Sequence, residues 1–581
     1  MTFRAKPVAN RPHRPSRDGE SRRNLYLNIG FGVAVVAAVL ILVGYVAINW
    51  YSQHLAAAAT VNGDSITRDD FAARAQIELW RLQQQIDRVN AAVADGRLTS
   101  AQAQNQLQSI SSQGESNTLA PLVVERLIDG KIQARLATEE GITITPEQID
   151  AKITEEATTP EQRHAWIIAV EPEVDEGKDE PTAEQKAAAK KIADQALIDI
   201  TTGGKAWEDV AKAVSTDSSK TAGGDLGWID ENATEDQGFL DAIFAAEINK
   251  PTAVIEGESG TYMIGRVTES APASVDQAWQ QKLTADGIKV ESYRAVIQSE
   301  LIRKALEDKA IAAAEASTKQ RHIREISIQA PSEPPSDKAV KVRHILYSPK
   351  DDPQAAQSLA EDDPEWTVAK LAAEKDYAIL QKDPSKFDEL ARKDSDEESA
   401  QGETGSGGKL PYVDDNENFV AAFRDAVINK PELKAGDVLA PIRSEFGWHI
   451  IQVMYRPPDI DQMNKLREQA AAGADFAQLA RDYSDGPESG KGGDKGWVGE
   501  GLIDARLLRA INAAPLNGVS EIVEIKNAGL FLYQVLEERN QKPDEDQLAT
   551  IKSRAFQNWY AEKKDAVTIT RQLLDEAGLS Q

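Results

Sequence analysis

A chain of 581 residues is too long for one hydrophobic core, and roughly three to five domains are expected. Its 94 acidic residues against 66 basic ones give a formal net charge of −28, which argues against nucleic acid or another phosphate-rich partner. The lack of cysteine removes disulfides, thiolate nucleophiles and cysteine metal ligands, and six histidines (His13, His54, His164, His322, His344 and His449) bound any imidazole chemistry.

Residues 1–24 carry Arg4, Lys6, Arg11, Arg14, Arg17, Arg22 and Arg23, opposed only by Asp18 and Glu20. From Leu25 to Trp50 no charged residue occurs, and at about 1.5 Å per residue that run can cross a hydrocarbon core of about 30 Å. The expectation is a basic cytoplasmic tail over 1–24, one transmembrane helix over 25–50, and the rest of the chain outside the cytoplasmic membrane by the positive-inside rule. A cleaved leader, using the small residues from Ala56 to Ala59, is the alternative. The apolar run exceeds the roughly 7 to 15 residues of a leader core, which favours retention.

After the anchor, Asn62-Gly63 marks a tight turn and Ser65 or Thr67 can cap the helix that follows. The stretch LVVERLIDGKIQARLATEEGITITPEQIDAKI spaces its apolar residues at helical intervals, stops at Gly141 and restarts with Thr145 as a cap ahead of Pro146 and Glu147. Further amphipathic helices are expected over 290–316 and near the C-terminus in DQLATIKSRAFQNWYAEKKDAV. PSEPPSDK, residues 331–338, reads as a linker.

One segment recurs three times: WEDVAKAVSTDSSKTAGGDLGWID from Trp207, FDELARKDSDEESAQGETGSGGKLPYVD from Phe387, and GADFAQLARDYSDGPESGKGGDKGWVG from Gly473. Each shows an aromatic residue, a helix, a serine-acid turn and a glycine pair. Each then runs into a further helix and a half-buried strand, in GTYMIGRV, GWHIIQV or GLFLYQV. Three matches to one long pattern indicate duplication of a domain of about 100 residues.

The repeat resembles the parvulin family of peptidyl-prolyl isomerases. The middle copy carries the whole family pattern: VRHIL at 342–346, SDEESA at 395–400, GGKL at 407–410, NFVAAFRDA at 418–426 and SEFGWHII at 444–451. The flanking helices are similar to the chaperone domain of SurA-like and PpiD-like secreted isomerases. The fold class implied is α+β and multidomain: one transmembrane helix, a helical chaperone domain, and parvulin-like domains, antiparallel sheets flanked by helices, in up to three copies. The domains expected are a first helical part (60–160), an inserted degenerate parvulin-like domain (161–270), a second helical part (271–330), an intact parvulin domain (339–457), a degenerate repeat (458–540) and C-terminal helices (541–581).

The resemblance places His344 and His449 on adjacent strands with Glu397 beside the substrate carbonyl and Ser444 as the hydroxyl supporting the histidines. Leu410, Phe419, Phe423 and Phe446 become the residues around the proline ring. The neighbours Asp396 and Glu398 compete with Glu397 for the acid position. In the first copy His164, Asp217, Leu226 and Phe239 are the corresponding set, with Tyr262 at the second histidine position. The third copy places Leu507 at the ring contact and Phe531 at the second histidine, lacks an RHIL strand before Gly473 and is expected to be inactive; His322 reads as a strand or surface histidine.

The resemblance implies a peptidyl-prolyl isomerase and chaperone acting on unfolded or partly folded exported chains containing X-Pro bonds. Membrane lipid, through the one helix, and the export channel are further expected partners. A holdase whose parvulin domains only bind clients is the alternative. No cofactor or metal is implied, since the sequence has no HExxH, P-loop or clustered metal-ligand set.

Overall fold

A computed structural model describes residues 57–175, 181–257, 260–415 and 419–579. The transmembrane helix expected at 25–50 and the basic tail lie outside these residues; among the described ones no helix is long and apolar enough to cross a membrane. The chain forms two compact units, Met1–Lys304 with Val567–Gln581, and Ala305–Ala566.

The first unit opens with a hairpin, Ala57–Val61 and Asp64–Thr67, turned by Asn62 and Gly63, both at positive φ (52° and 88°). Thr67 then caps helix Arg68–Ala94 through a capping box with Asp70. Helices Ser116–Glu139 and Pro146–Glu156 follow, the latter capped by Thr145 with Pro146 in its first turn, as the sequence predicts. Residues near 150 and near 290 share one core, in which Ile77, Trp80, Ile149 and Ile153 meet Trp279, Tyr293 and Ile297. Between them the short strands Thr158–Thr159 and Ser274–Val275 pair, so the chain leaves the helical body and returns to it at one neck. What lies between is a four-stranded sheet, with strand Gln162–Val170 flanked by Asp225–Asp230 and Tyr262–Ala271 and with Ile255–Glu256 at one edge.

The last residues do not form C-terminal helices alone. Helix Glu545–Asp565 belongs to the second unit, whereas Ile569–Thr570 adds a third strand to the N-terminal hairpin, Val61 facing Ile569 and Thr60 facing Thr570. Leu573 and Leu574, 0 % and 3 % exposed, anchor that return.

The second unit holds two further sheets. Strands Lys341–Tyr347, Trp448–Tyr455 and Ile442–Arg443 form one, with the Trp448 strand in the centre. The other corrects two sequence expectations. Lys319–Gln329, expected to close the helical domain, instead lies between Asp494–Gly499 and Gly529–Asn540. The third copy therefore does own a first strand, although it precedes Gly473 by about 150 residues. The middle copy is inserted between that strand and helix Asp459–Ala471, with the 331–338 linker at the entry. A local reading offers a strand at His322 but misses which domain owns it, because the residues that belong beside it were displaced by a whole domain.

The two sheets of this unit share a core, with Met454 and Tyr455 of the middle copy packed against Ile326, Ile328, Met463 and Leu532. Arg343 donates to Asp482 (2.9 Å) across the same boundary, and the buried Lys409 ammonium donates to the Arg481 carbonyl (2.8 Å). Burial lowers the Lys409 pKa to about 8.

Candidate active site

The glycine pair sets the register of each copy. Gly408 lies at φ +77°, and a Cβ there would stand 2.0 Å from the His344 carbonyl oxygen, so only glycine lets the loop press against the strand. The His344 N–H donates to the Gly408 carbonyl at 2.8 Å. Two residues further along, the Leu346 N–H donates to Ser395 (3.2 Å). These two contacts fix His344 over the loop and aim it at the cross-strand neighbour of Leu346, which is His449.

The two imidazoles stack at 5.3 Å with 15° between planes, Nδ1 to Nδ1 at 3.1 Å. His344 Nε2 bonds the Glu397 carboxylate, and Ser444 Oγ lies 2.6 Å from His449 Nε2. Ser399 also donates to Glu397, at 3.0 Å. The bond from His344 holds the Glu397 carboxyl below the usual glutamate range, and burial pushes the His449 imidazole down to about 3. An ionised Glu397 can only accept, so His344 Nε2 carries hydrogen. The Nδ1–Nδ1 contact takes one proton: on His449 Nδ1 it goes with donation from the Ser444 hydroxyl to His449 Nε2, and on His344 Nδ1 with the reverse.

Phe423 stands edge-on to both rings, 5.4 Å from His344 and 5.2 Å from His449. Phe419 stacks on Phe423 at 5.8 Å. Leu410 and Phe419, half-buried, pack on the same cluster, and Phe446 is half-buried at the turn after Ser444. Of the three adjacent acids, Asp396 instead accepts the Ser348 N–H (2.5 Å), and burial raises it to about 6. Ser348 is part of this site and was not anticipated; Ser395 and Ser399 lie in the SDEESA segment, but sequence reasoning gives them no role in it.

The same contacts locate the corresponding positions in the other copies. Gly224 presses on the Ile167 carbonyl and Ser215 holds the Ala169 N–H; Gly493 presses on the Glu325 carbonyl and Ser484 holds the Ser327 N–H. Ile167 and Glu325 therefore occupy the place of His344. His164 and His322 lie three residues earlier, and an odd slip moves a strand side chain to the opposite face. There each bonds the acid of its loop, His164 to Asp225 (2.8 Å) and His322 to Asp494 (2.7 Å). His164 is thus corrected from a site residue to a partner of Asp225.

Tyr262 is corrected as well: Ala169 faces Met263, so Met263 occupies the second histidine position, one residue beyond the count from the preceding glycine. Tyr262 packs instead with Val170 and Ala193. Asp217 keeps the Glu397 position but is held by the Ser215 hydroxyl (2.5 Å) and the Ser219 N–H. Leu226 and Phe239 join Ile167 and Met263 in an apolar core with no imidazole. In the third copy Phe531 faces Ser327 as the second-histidine residue and Leu507 packs in the same domain, while the Tyr533 hydroxyl donates to Glu325 at 2.9 Å, both side chains buried.

An antiparallel sheet flanked by helices, a glycine-pressed loop and two facing imidazoles beneath a phenylalanine defines a parvulin-type domain. Models of the PPIC-type PPIase domain match residues 151–271 with 460–539 and residues 344–455, more than half of the chain, and the SurA-like N-terminal domain matches residues 20–159. The chain carries PPIC-type PPIase domains joined to a SurA-like N-terminal domain. It is similar to Chaperone SurA of Methylobacillus flagellatus, 26 % identical over 54 % of this chain and 75 % of that protein. Chaperone SurA of Dechloromonas aromatica is 26 % identical over 24 % of this chain, and that of Methylococcus capsulatus 33 % over 25 %. Those two matches span 40 % and 37 % of the relatives' own lengths. Among solved structures, PrsA from Bacillus subtilis is 19 % identical over 42 % of this chain and 90 % of its own, with a TM-score of 0.15.

Proposed function

We propose that the domain around residues 339–457 catalyses cis-trans isomerisation of X-Pro bonds, and that the remainder holds exported, incompletely folded chains while it does so. The observation that carries this reading is the His344–His449 pair joined to Glu397 beneath Phe423. Amide resonance opposes rotation by about 18 to 20 kcal/mol. A catalyst lowers that barrier by binding the twisted amide better than the planar one. Leu410, Phe419, Phe423 and Phe446 offer an apolar seat for the proline ring. Glu397, negative and fixed by His344, opposes the negative charge that planarity places on the carbonyl oxygen, so the bond loses double-bond character. No covalent step is needed, and no proton leaves the substrate.

The expected setting is the outer face of the cytoplasmic membrane, with residues 25–50 as the anchor and X-Pro-containing clients, lipid and the export channel as neighbours. The domain division expected from sequence is part of this reading, with strand Lys319–Gln329 given to the third copy and Ile569–Thr570 to the first unit. The full chain should accelerate exchange of an X-Pro tetrapeptide, and Phe423→Ala should lower kcat/KM by about 10-fold or more through loss of the ring seat. The non-catalytic holdase is the second reading, favoured by the apolar or self-paired residues at the histidine positions of the first and third copies. No acceleration over the uncatalysed rate by the full chain would leave that reading alone.

A further inference from the structure

Ser348, the residue after strand Lys341–Tyr347, is 3 % exposed. Its N–H donates to Asp396 at 2.5 Å and its hydroxyl donates to the Phe446 carbonyl at 2.8 Å. The Phe446 N–H in turn donates to Ser444 Oγ at 3.1 Å, and Ser444 reaches His449 Nε2 at 2.6 Å. On the other side Asp396 is covalently next to Glu397, which bonds His344, which bonds His449. The contacts close into a ring that contains both imidazoles.

Half of this ring belongs to the fold and half to the site. In all three copies the N–H at the Ser348 position is held by the residue after the loop serine: Glu171 N–H by Thr216 (3.0 Å) and Gln329 N–H by Asp485 (3.1 Å). The hydroxyl link is different, because Glu171 and Gln329 replace Ser348 in the two copies without imidazoles. The bond from Ser348 to the Phe446 carbonyl therefore occurs where the histidine pair occurs.

We propose that Ser348 is a positioning residue for the isomerase site. By fixing the Phe446 carbonyl it holds the Ser444–Phe446 turn so that the Ser444 hydroxyl donates to His449 Nε2. That donation leaves the proton on His449 Nδ1 and makes His344 Nδ1 the acceptor, with His344 Nε2–H committed to Glu397. The effect on rate rests on the isomerase reading above; the protonation pattern does not.

Labelling histidine with nitrogen-15 in the full chain gives six imidazoles, and His449→Gln identifies the signals of that ring. In the wild type His449 Nε2 should resonate as an unprotonated and Nδ1 as a protonated nitrogen; the reverse assignment overturns the proposal without any variant. Ser348→Ala should shift His449 to a tautomer mixture and lower kcat/KM for an X-Pro tetrapeptide about 10-fold. Ser348→Thr, which keeps the hydroxyl, should restore both. An unchanged His449 tautomer in Ser348→Ala, or a changed tautomer with unchanged kcat/KM, overturns the role. A wild type that accelerates nothing would remove the isomerase reading instead, and the tautomer comparison would still decide the ring.

Discussion

Glu397 and the histidines make separable demands on the same bonds. In Glu397→Gln the amide oxygen can still accept from His344, so the geometry persists while the negative charge is lost. A fall in kcat/KM of roughly 10-fold or more, about 1.4 kcal/mol of barrier, is expected in the tetrapeptide assay, with a near-native melting temperature. His449 carries a different consequence. Its pKa is near 3 when folded, against 6.5 for a free imidazole, so the unfolded chain binds a proton that the folded chain refuses between those values. Its contribution to stability is complete above pH 6.5 and is lost as pH falls toward 3. Urea unfolding followed at pH 4.5 and pH 7.5 should therefore show a smaller difference for His449→Gln than for the wild type.

At the scale of elements, the sequence was legible where a local chemical rule decides. Thr145 with Pro146 started a helix and Asn62-Gly63 turned a hairpin because capping and positive φ are properties of a few neighbouring residues. The middle site was legible for a similar reason, since its glycine pair, serine and two strand histidines all sit at the spacings of one uninterrupted domain. Register in the degenerate copies was not legible. RH occurs in all three first strands, yet only contact with the glycine pair shows that His164 and His322 fall three residues short.

Nested partners were also out of reach, because nothing near Lys319–Gln329 announces strands 170 and 200 residues away. That nesting can be tested. Asp482→Ala would leave the buried Arg343 guanidinium with Gln452 as its remaining side-chain bond, and should destabilise the second unit by about 3 kcal/mol in chemical denaturation. The middle and third sheets should lose stability together, since they share the core around Met454 and Ile326.

For the whole molecule, the proposed isomerisation belongs to one of three related domains. His344→Gln with His449→Gln should abolish isomerase activity in the full chain while leaving suppression of client aggregation intact; residual isomerisation above background would point to the first or third copy. The terminal return should matter elsewhere. Removing residues 567–581 takes away Ile569–Thr570 and the buried Leu573 and Leu574, at about 1.5 to 3 kcal/mol per leucine. Calorimetry should then show an earlier transition for the first unit and an unchanged one for Ala305–Ala566.

The pairing of Val61 with Ile569 also orders events on the ribosome. At about 5 to 20 residues per second the opening hairpin waits tens of seconds with one edge bare, until Ile569 and Thr570 are made and supply its neighbour. Strand Lys319–Gln329 waits likewise while the whole middle domain is made and closes. The His344–His449 pair is thus assembled before either of the structures that enclose it in sequence, and a nascent copy of this chain carries a finished site on an unfinished frame.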